Sequence, residues 1–401
     1  MKITPLMNDG YDGQPAKRVL HYMQSHQKKG HPIVGIYCGY APIELIQAMG
    51  IVPAVLCSFS NAPIASAESV LPANLCPLIK SSYGFILEGT CPFFAMSKAV
   101  IAETTCDGKK KMFELAAEVK PMHVMDLPQL PDEVEALSNW TVMIRKLQRF
   151  LENTCQCKVQ SQDIETAIQK TNNKNRMMRR FYDFAAMHPP VINWQEMYDV
   201  GFLALPSTAD EMIPILESLF EKLDERVEQG LHYGTIDSPR VLVSGCPVGG
   251  DALKIFKIIE TLGGLVVAPD ACTGIKAFMG EIEENSSDPV RAIAKRYLEI
   301  PCACMTPNVN RLSALSQMIE HYKPDVVIDF VLTACHSYNV ESYKVGNHVT
   351  EHHGLPYLKI ESDYSDNDEG QIRTKIEALL EIANPGKREI SRDKYLHEIQ
   401  S

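Results

Sequence analysis

Short apolar runs alternate with helical spacing in two separate stretches of the chain. Residues 33–37, 52–56, 99–102 and 122–125 read as strands, and residues 240–244, 264–268, 325–330 and 356–360 repeat the pattern later on. Helices are predicted from Pro42 to the stop at Gly50, over 108–119, from Pro247 through Leu262, and over 371–382. Short apolar strands alternating with helices indicate parallel βαβ units. Between about 133 and 235 the period changes, and apolar residues recur at helical spacing, most clearly over 142–151 and 162–187. The prediction is an α/β fold of two Rossmann-like domains with parallel sheets and a helical insert between them. An N-terminal helical arm covers 1–30, with its helix near 18–27, and the first α/β domain covers 31–135. A helical connector covers 136–238, the second α/β domain 239–384, and a charged tail 385–401.

The two α/β stretches read as copies of one design. Each opens with strand, cysteine, helix: Tyr37-Cys38 leads to Pro42, and Gly245-Cys246 leads to Pro247. Each then carries a loop cysteine about thirty residues before a second strand–cysteine–helix unit, Cys76 before Cys106 and Cys304 before Cys335. The sequences at the second unit also match, Ala102-Glu103-Thr104-Thr105-Cys106 against Val331-Leu332-Thr333-Ala334-Cys335.

Charge and length narrow the classes. The chain has 401 residues, ample for two or three domains, and a formal net charge of −11. That charge argues against non-specific nucleic-acid binding. No apolar run approaches the roughly 20 residues needed to cross a bilayer, and the start lacks the apolar core of a secretory signal. A cytoplasmic location is expected, with neither nucleic acid nor membrane as partner.

Twelve cysteines are then the informative excess. In a reducing compartment they point to metal, cluster or catalysis, or to small buried hydrophobes. The second reading suits Cys57, Cys155 and Cys157. Cys38, Cys106, Cys246 and Cys335 each follow an apolar strand. They fall on the carboxyl rim, where parallel sheets bind ligands. A helix N-terminus there favours thiolate and is expected to lower the thiol pKa. Structural zinc sites carry paired CxxC or HxxxH elements, and none is present; Cys155/Cys157 and Cys302/Cys304 are isolated Cys-x-Cys pairs. Ligands spread over whole domains suit an iron–sulfur cluster between them. Spacing alone leaves cluster ligation and an all-structural role open.

Other chemistry is sparse. There is no GxSxG, GxGxxG or Walker A run, so ATP hydrolysis by this chain is not expected. Gly249-Gly250-Asp251 at a helix start is either an anion seat or a tight turn. His336 and Glu341, just after Cys335, are candidates for moving protons at the rim, against the plainer role of solvent-facing polar residues. Lys109-Lys110-Lys111 is either a solvated face or a seat for an acidic group.

Particular runs resemble a known family. Asn74-Leu75-Cys76-Pro77-Leu78-Ile79-Lys80-Ser81-Ser82-Tyr83-Gly84 and Glu103-Thr104-Thr105-Cys106-Asp107-Gly108-Lys109-Lys110-Lys111 look like the 2-hydroxyacyl-CoA dehydratase / benzoyl-CoA reductase family. So do Tyr37-Cys38-Gly39-Tyr40-Ala41-Pro42 with Glu44-Leu45, and Gly245-Cys246-Pro247. The resemblance implies two α/β domains holding an iron–sulfur cluster in the cleft between them. A single-cubane dehydratase subunit would use Cys76, Cys106 and Cys335. The further rim cysteines, with Pro301-Cys302-Ala303-Cys304-Met305-Thr306-Pro307-Asn308 and Asp270-Ala271-Cys272-Thr273-Gly274, look like the double-cubane cluster-protein branch. That branch implies a double-cubane [8Fe-9S] cluster with six cysteine ligands. It also implies a homodimer and an ATP-dependent iron–sulfur reductase as electron donor. The ligands it suggests are Cys38, Cys76, Cys106, Cys272, Cys304 and Cys335, with Cys246 and Cys302 in reserve and Cys91 only packing. The implied activity is low-potential reduction of a small unsaturated or nitrogen-containing substrate. The alternatives are a 2-hydroxyacyl-CoA dehydratase subunit with one [4Fe-4S] cluster, and a non-enzymatic electron-storage or cluster-scaffold protein.

Overall fold

The computed structural model describes residues 3–383, so the tail at 385–401 lies outside the described residues. Eight strands form where eight are predicted. The first sheet contains β1 (Ile33–Ile36), β2 (Val52–Val55), β3 (Ala99–Glu103) and β4 (Met122–Met125), in the order β2-β1-β3-β4. The second contains β5 (Arg240–Gly245), β6 (Leu265–Asp270), β7 (Val326–Leu332) and β8 (Tyr357–Ser362), in the order β6-β5-β7-β8. Every pairing is parallel, and the two orders are the same. The doubling read from the cysteines is therefore a doubling of topology. The inner strands are buried at every position, as all seven residues of β7 are, because helices cover both faces.

The segment between the sheets forms helices Ala136–Cys155, Ser161–Ala186, Trp194–Ala204 and Ala209–Glu228. Gln160, Asn193 and Thr208 open the last three with reciprocal capping boxes. Trp140, Ile144, Leu147 and Leu151 fall on one stripe of the first of these helices. They share a core with Val34, Ile36 and Ile101 of the first sheet and with Ile293 of helix Pro289–Leu298. A helix after β6 thus packs against the first domain's side of the molecule.

Three local differences from the sequence reading have physical causes. The helix expected from Pro247 begins only at Lys254, after a 3₁₀ turn at Gly250–Leu253. There the chain presses on the first domain: a Cβ at Gly249 would lie 2.7 Å from the Phe59 ring, and Gly250 has φ +48°. The same contact fills the suggested anion seat, and Asp251 instead accepts the Asn61 N–H at 2.7 Å. Helices Pro289–Leu298 and Val309–Tyr322 lie where no element is predicted. Asp288 caps the first through the Arg291 N–H, with Pro289 at its first position, a start signal that was legible in sequence.

Candidate metal centre

The carboxyl ends of the two sheets face a shared cavity of about 980 Å³. It is lined by residues just past β1 (Cys38), β2 (Cys57), β3 (Cys106), β5 (Cys246), β6 (Cys272) and β7 (Cys335), and by Cys76, Cys302 and Cys304 from loops. Nine of the twelve cysteines thus border one space. All twelve are free thiols. Cys91, Cys155 and Cys157 lie elsewhere: the Cys91 sulfur caps a short helix by accepting the Phe94 N–H, and Cys155 and Cys157 pack with the helical core. Cys57 departs from its expected role as a plain core residue. It follows β2, lines the cavity, and its thiol donates to the Tyr37 carbonyl at 2.9 Å.

Local backbone geometry aims these thiols. Cys76, Cys106 and Cys335 are the N-cap residues of helices Pro77–Glu88, Asp107–Ala117 and His336–Asn347. Ala334, immediately before Cys335, holds φ +59°, a left-handed conformation that is costly for a residue with a Cβ. Gly245 ends β5 with φ +115°, and a Cβ there would lie 2.1 Å from the Phe330 carbonyl oxygen. Only glycine lets the chain turn so closely. The next residue, Cys246, then donates its N–H to Phe330 at 2.7 Å and accepts the Leu332 N–H on sulfur at 3.4 Å.

The thiols contact one another in two groups. Cys335 hydrogen-bonds with both Cys76 and Cys246. Cys302 and Cys304 hydrogen-bond with each other, and the Cys304 thiol reaches the Tyr40 hydroxyl at 3.6 Å. Cys38 and Cys272 each feel the charge of Cys302, and Cys106 feels both Cys76 and Cys302. The expectation that helix N-termini lower the thiol pKa values is corrected here. Burial pushes Cys38 and Cys106 up, and Cys272 to about 11. Hydrogen bonds to neighbouring thiols, with burial, push Cys76, Cys304 and Cys335 up as well. Cys302 alone moves down, because Cys304 donates to it. Desolvation outweighs the helix ends because the thiols are set back in a recessed cavity rather than on the open surface.

Charged groups surround the thiols. Of the three consecutive lysines, Lys110 and Lys111 turn outward to Asp107 and Glu114, whereas Lys109 turns into the cavity and donates to the Tyr37 carbonyl at 3.0 Å. Glu103, at the end of β3, is fully buried with neither carboxylate oxygen hydrogen-bonded, and burial raises its pKa to about 8. Lys276 also lines the cavity and sits 3.3 Å from Asp270. His336 lies on the cavity wall with an exposed ring. Glu341 is not free: it accepts from Arg311 at 2.5 Å and from Asn308 at 2.6 Å. Arg311, 1% exposed, also reaches Asp329 and Ser244, each at 3.3 Å, and stacks on Tyr338.

Among the described residues, no group of three His, Cys, Asp or Glu side chains is arranged as a ready site for one metal ion. A tetrahedral zinc site needs such a group. Nine thiols lining one cavity supply enough donors for a polynuclear group. The residues that line the cavity are the donor type that an iron–sulfur cluster takes.

Comparisons with known proteins place the chain in a family. Residues 38–383 match the family model described as 2-hydroxyglutaryl-CoA dehydratase, D-component. A protein of Escherichia coli (strain K12) named "Putative dehydratase subunit YjiM" is 40% identical over 357 residues, covering 89% of this chain and 92% of that protein. The (R)-phenyllactyl-CoA dehydratase beta subunit of Clostridium sporogenes is 22% identical, covering 92% of this chain and 95% of its own. The beta subunit of (R)-2-hydroxyglutaryl-CoA dehydratase from Acidaminococcus fermentans is 22% identical, covering 90% and 94%.

Proposed function

The chain belongs to the 2-hydroxyglutaryl-CoA dehydratase D-component family, and from that premise we propose that it is an iron–sulfur reductase of the double-cubane type. In this reading Cys38, Cys76, Cys106, Cys272, Cys304 and Cys335 hold an [8Fe-9S] cluster. A separate ATP-hydrolysing iron–sulfur reductase supplies the electrons, and two copies of the chain form a homodimer. The observation that supports it is the number of thiols on one cavity: nine, where a single four-iron cubane takes four at most. The two reserve cysteines lie beside suggested ligands, Cys246 against Cys335 and Cys302 against Cys304.

When bound, the cluster supplies one-electron, low-potential reducing equivalents. The chain's own residues do the rest. The cavity walls keep the thiols out of bulk water, which strengthens every charge interaction inside. Cys76, Cys106 and Cys335 each stand at a helix N-terminus, whose dipole favours the thiolate form that a metal requires and partly offsets the burial that raises their pKa values. His336, exposed on the cavity wall, is the residue that relays protons there. Glu341, tied to Arg311 and Asn308, fixes the helix that begins at Cys335.

The test is turnover. Anaerobically loaded protein, given an ATP-dependent activator and a reductant, is expected to reduce a small alkyne or a nitrogen-containing compound, and no turnover of such compounds overturns the reductase reading. A second reading has its own support in the names of the relatives: a 2-hydroxyacyl-CoA dehydratase subunit with one [4Fe-4S] cluster. Elimination of water from a 2-hydroxyacyl-CoA, with no reduction of small molecules, would favour it.

A further inference from the structure

Two lysines, Lys276 buried and Lys109 half-buried, border the thiol cavity from opposite domains. Lys109 lies in the first turn of helix Asp107–Ala117, three residues after Cys106. Lys276 lies in the turn Ile275–Phe278, four residues after Cys272. The Lys276 side chain is 2% exposed, and its ammonium lies 3.3 Å from Asp270 without making a hydrogen bond. Asp270 is itself shared, accepting the Ser244 hydroxyl at 2.7 Å. Lys109 donates to a neutral backbone carbonyl, that of Tyr37, rather than to a carboxylate. The charges bearing on it are Cys57, Cys38, Cys106 and Glu103.

A desolvated ammonium with unfilled hydrogen-bonding capacity is costly, and proteins keep one where an anion completes its shell. The space both ammonium groups border is walled by thiols. We propose that Lys109 and Lys276 are fixed counter-cations of the cluster, one from each domain, and that they set its reduction potential. This inference rests on the cluster reading above. Reduction adds one negative charge to the cluster, so a fixed cation beside it stabilises the reduced state more than the oxidised state. Burial keeps solvent ions from screening the effect. Both lysines are therefore positioning residues: they act through the cluster and not on substrate.

The experiment is a redox titration of the anaerobically loaded full chain, followed by electron paramagnetic resonance and by visible absorption. Lys109→Met and Lys276→Met are each expected to move the midpoint to more negative potential. The expected change is at least tenfold in the reduction equilibrium, which is about 59 mV for a one-electron couple. Lys→Arg at either position, which keeps the charge, is expected to recover most of the shift. Lys276→Gln serves where the methionine variant does not fold. Lys254→Met is the control. Lys254 is as buried and pairs with Asp368 at 2.7 Å, but it does not line the cavity. Its loss is expected to lower stability and leave the midpoint in place. Variants that carry wild-type iron with an unmoved midpoint overturn this inference alone. A wild-type chain that takes up no iron overturns the cluster reading and this inference together, and the metal count tells the two failures apart.

Discussion

Arg311→Met tests whether the buried network under the second sheet holds the site together. Arg311 is 1% exposed, and it faces Asp329, which is fully buried, at 3.3 Å and Glu341 at 2.5 Å. Removing one partner of a buried ion pair costs roughly 3–5 kcal/mol, because the other charge is left uncompensated. Asp329 keeps two donors, the Ser342 hydroxyl at 2.5 Å and the Tyr357 hydroxyl at 2.9 Å, and Glu341 can turn toward solvent. Both facts place the expected loss at the lower end, about 3 kcal/mol. The assay is urea unfolding of the reduced chain, followed by circular dichroism. Asp329→Asn in the same chain is expected to return part of the loss, since the stranded charge disappears. Arg311→Lys is expected to return little, because it lacks the fork that reaches several acceptors at once. A loss below about 1 kcal/mol for Arg311→Met, or no recovery in the double variant, would refute the reasoning.

Three further outcomes are expected. Glu103 binds its proton more tightly in the folded chain, with a pKa raised by burial from 4.5 to about 8. The stability it contributes is complete below 4.5 and is lost as pH rises toward about 8, so urea midpoints should fall across that window, and Glu103→Gln should flatten the fall; parallel pH profiles would contradict this. Cys155→Ser and Cys157→Ser should leave iron content unchanged, whereas Cys76→Ser and Cys335→Ser should lower it, as colorimetric iron assay after anaerobic loading will read. Gly245→Ala should cost several kcal/mol in thermal or urea unfolding, because its Cβ would strike the Phe330 carbonyl at 2.1 Å across the β5–β7 pairing. A neutral result would show that β5 can end another way.

The inner strands were legible because each is buried at every position and so reads as a largely apolar run. The copied strand order was foreshadowed by the cysteine spacing, since Cys38, Cys106, Cys246 and Cys335 each follow the end of an inner strand. What sequence could not supply is the direction of side chains beyond those points. Cys57 reads like a core residue next to Val55 and Leu56, yet the chain has already left β2 and turned toward the cavity. Lys109 is indistinguishable from Lys110 and Lys111 until the helix phase is known, and only then does one of three neighbours face inward. Glu341 looks like a free acid because its partner, Arg311, lies 30 residues away on another helix. The thiol pKa values were misjudged for the same reason. The helix ends are local features, whereas the recessed cavity between domains is a long-range one.

The most direct measurement is the number of irons and acid-labile sulfides per chain after purification without oxygen. About eight irons are expected, two four-iron cubanes on one cavity of thiols. About four would contradict the double-cubane reading and favour a single-cubane dehydratase subunit. None, after anaerobic reconstitution, would contradict cluster binding altogether.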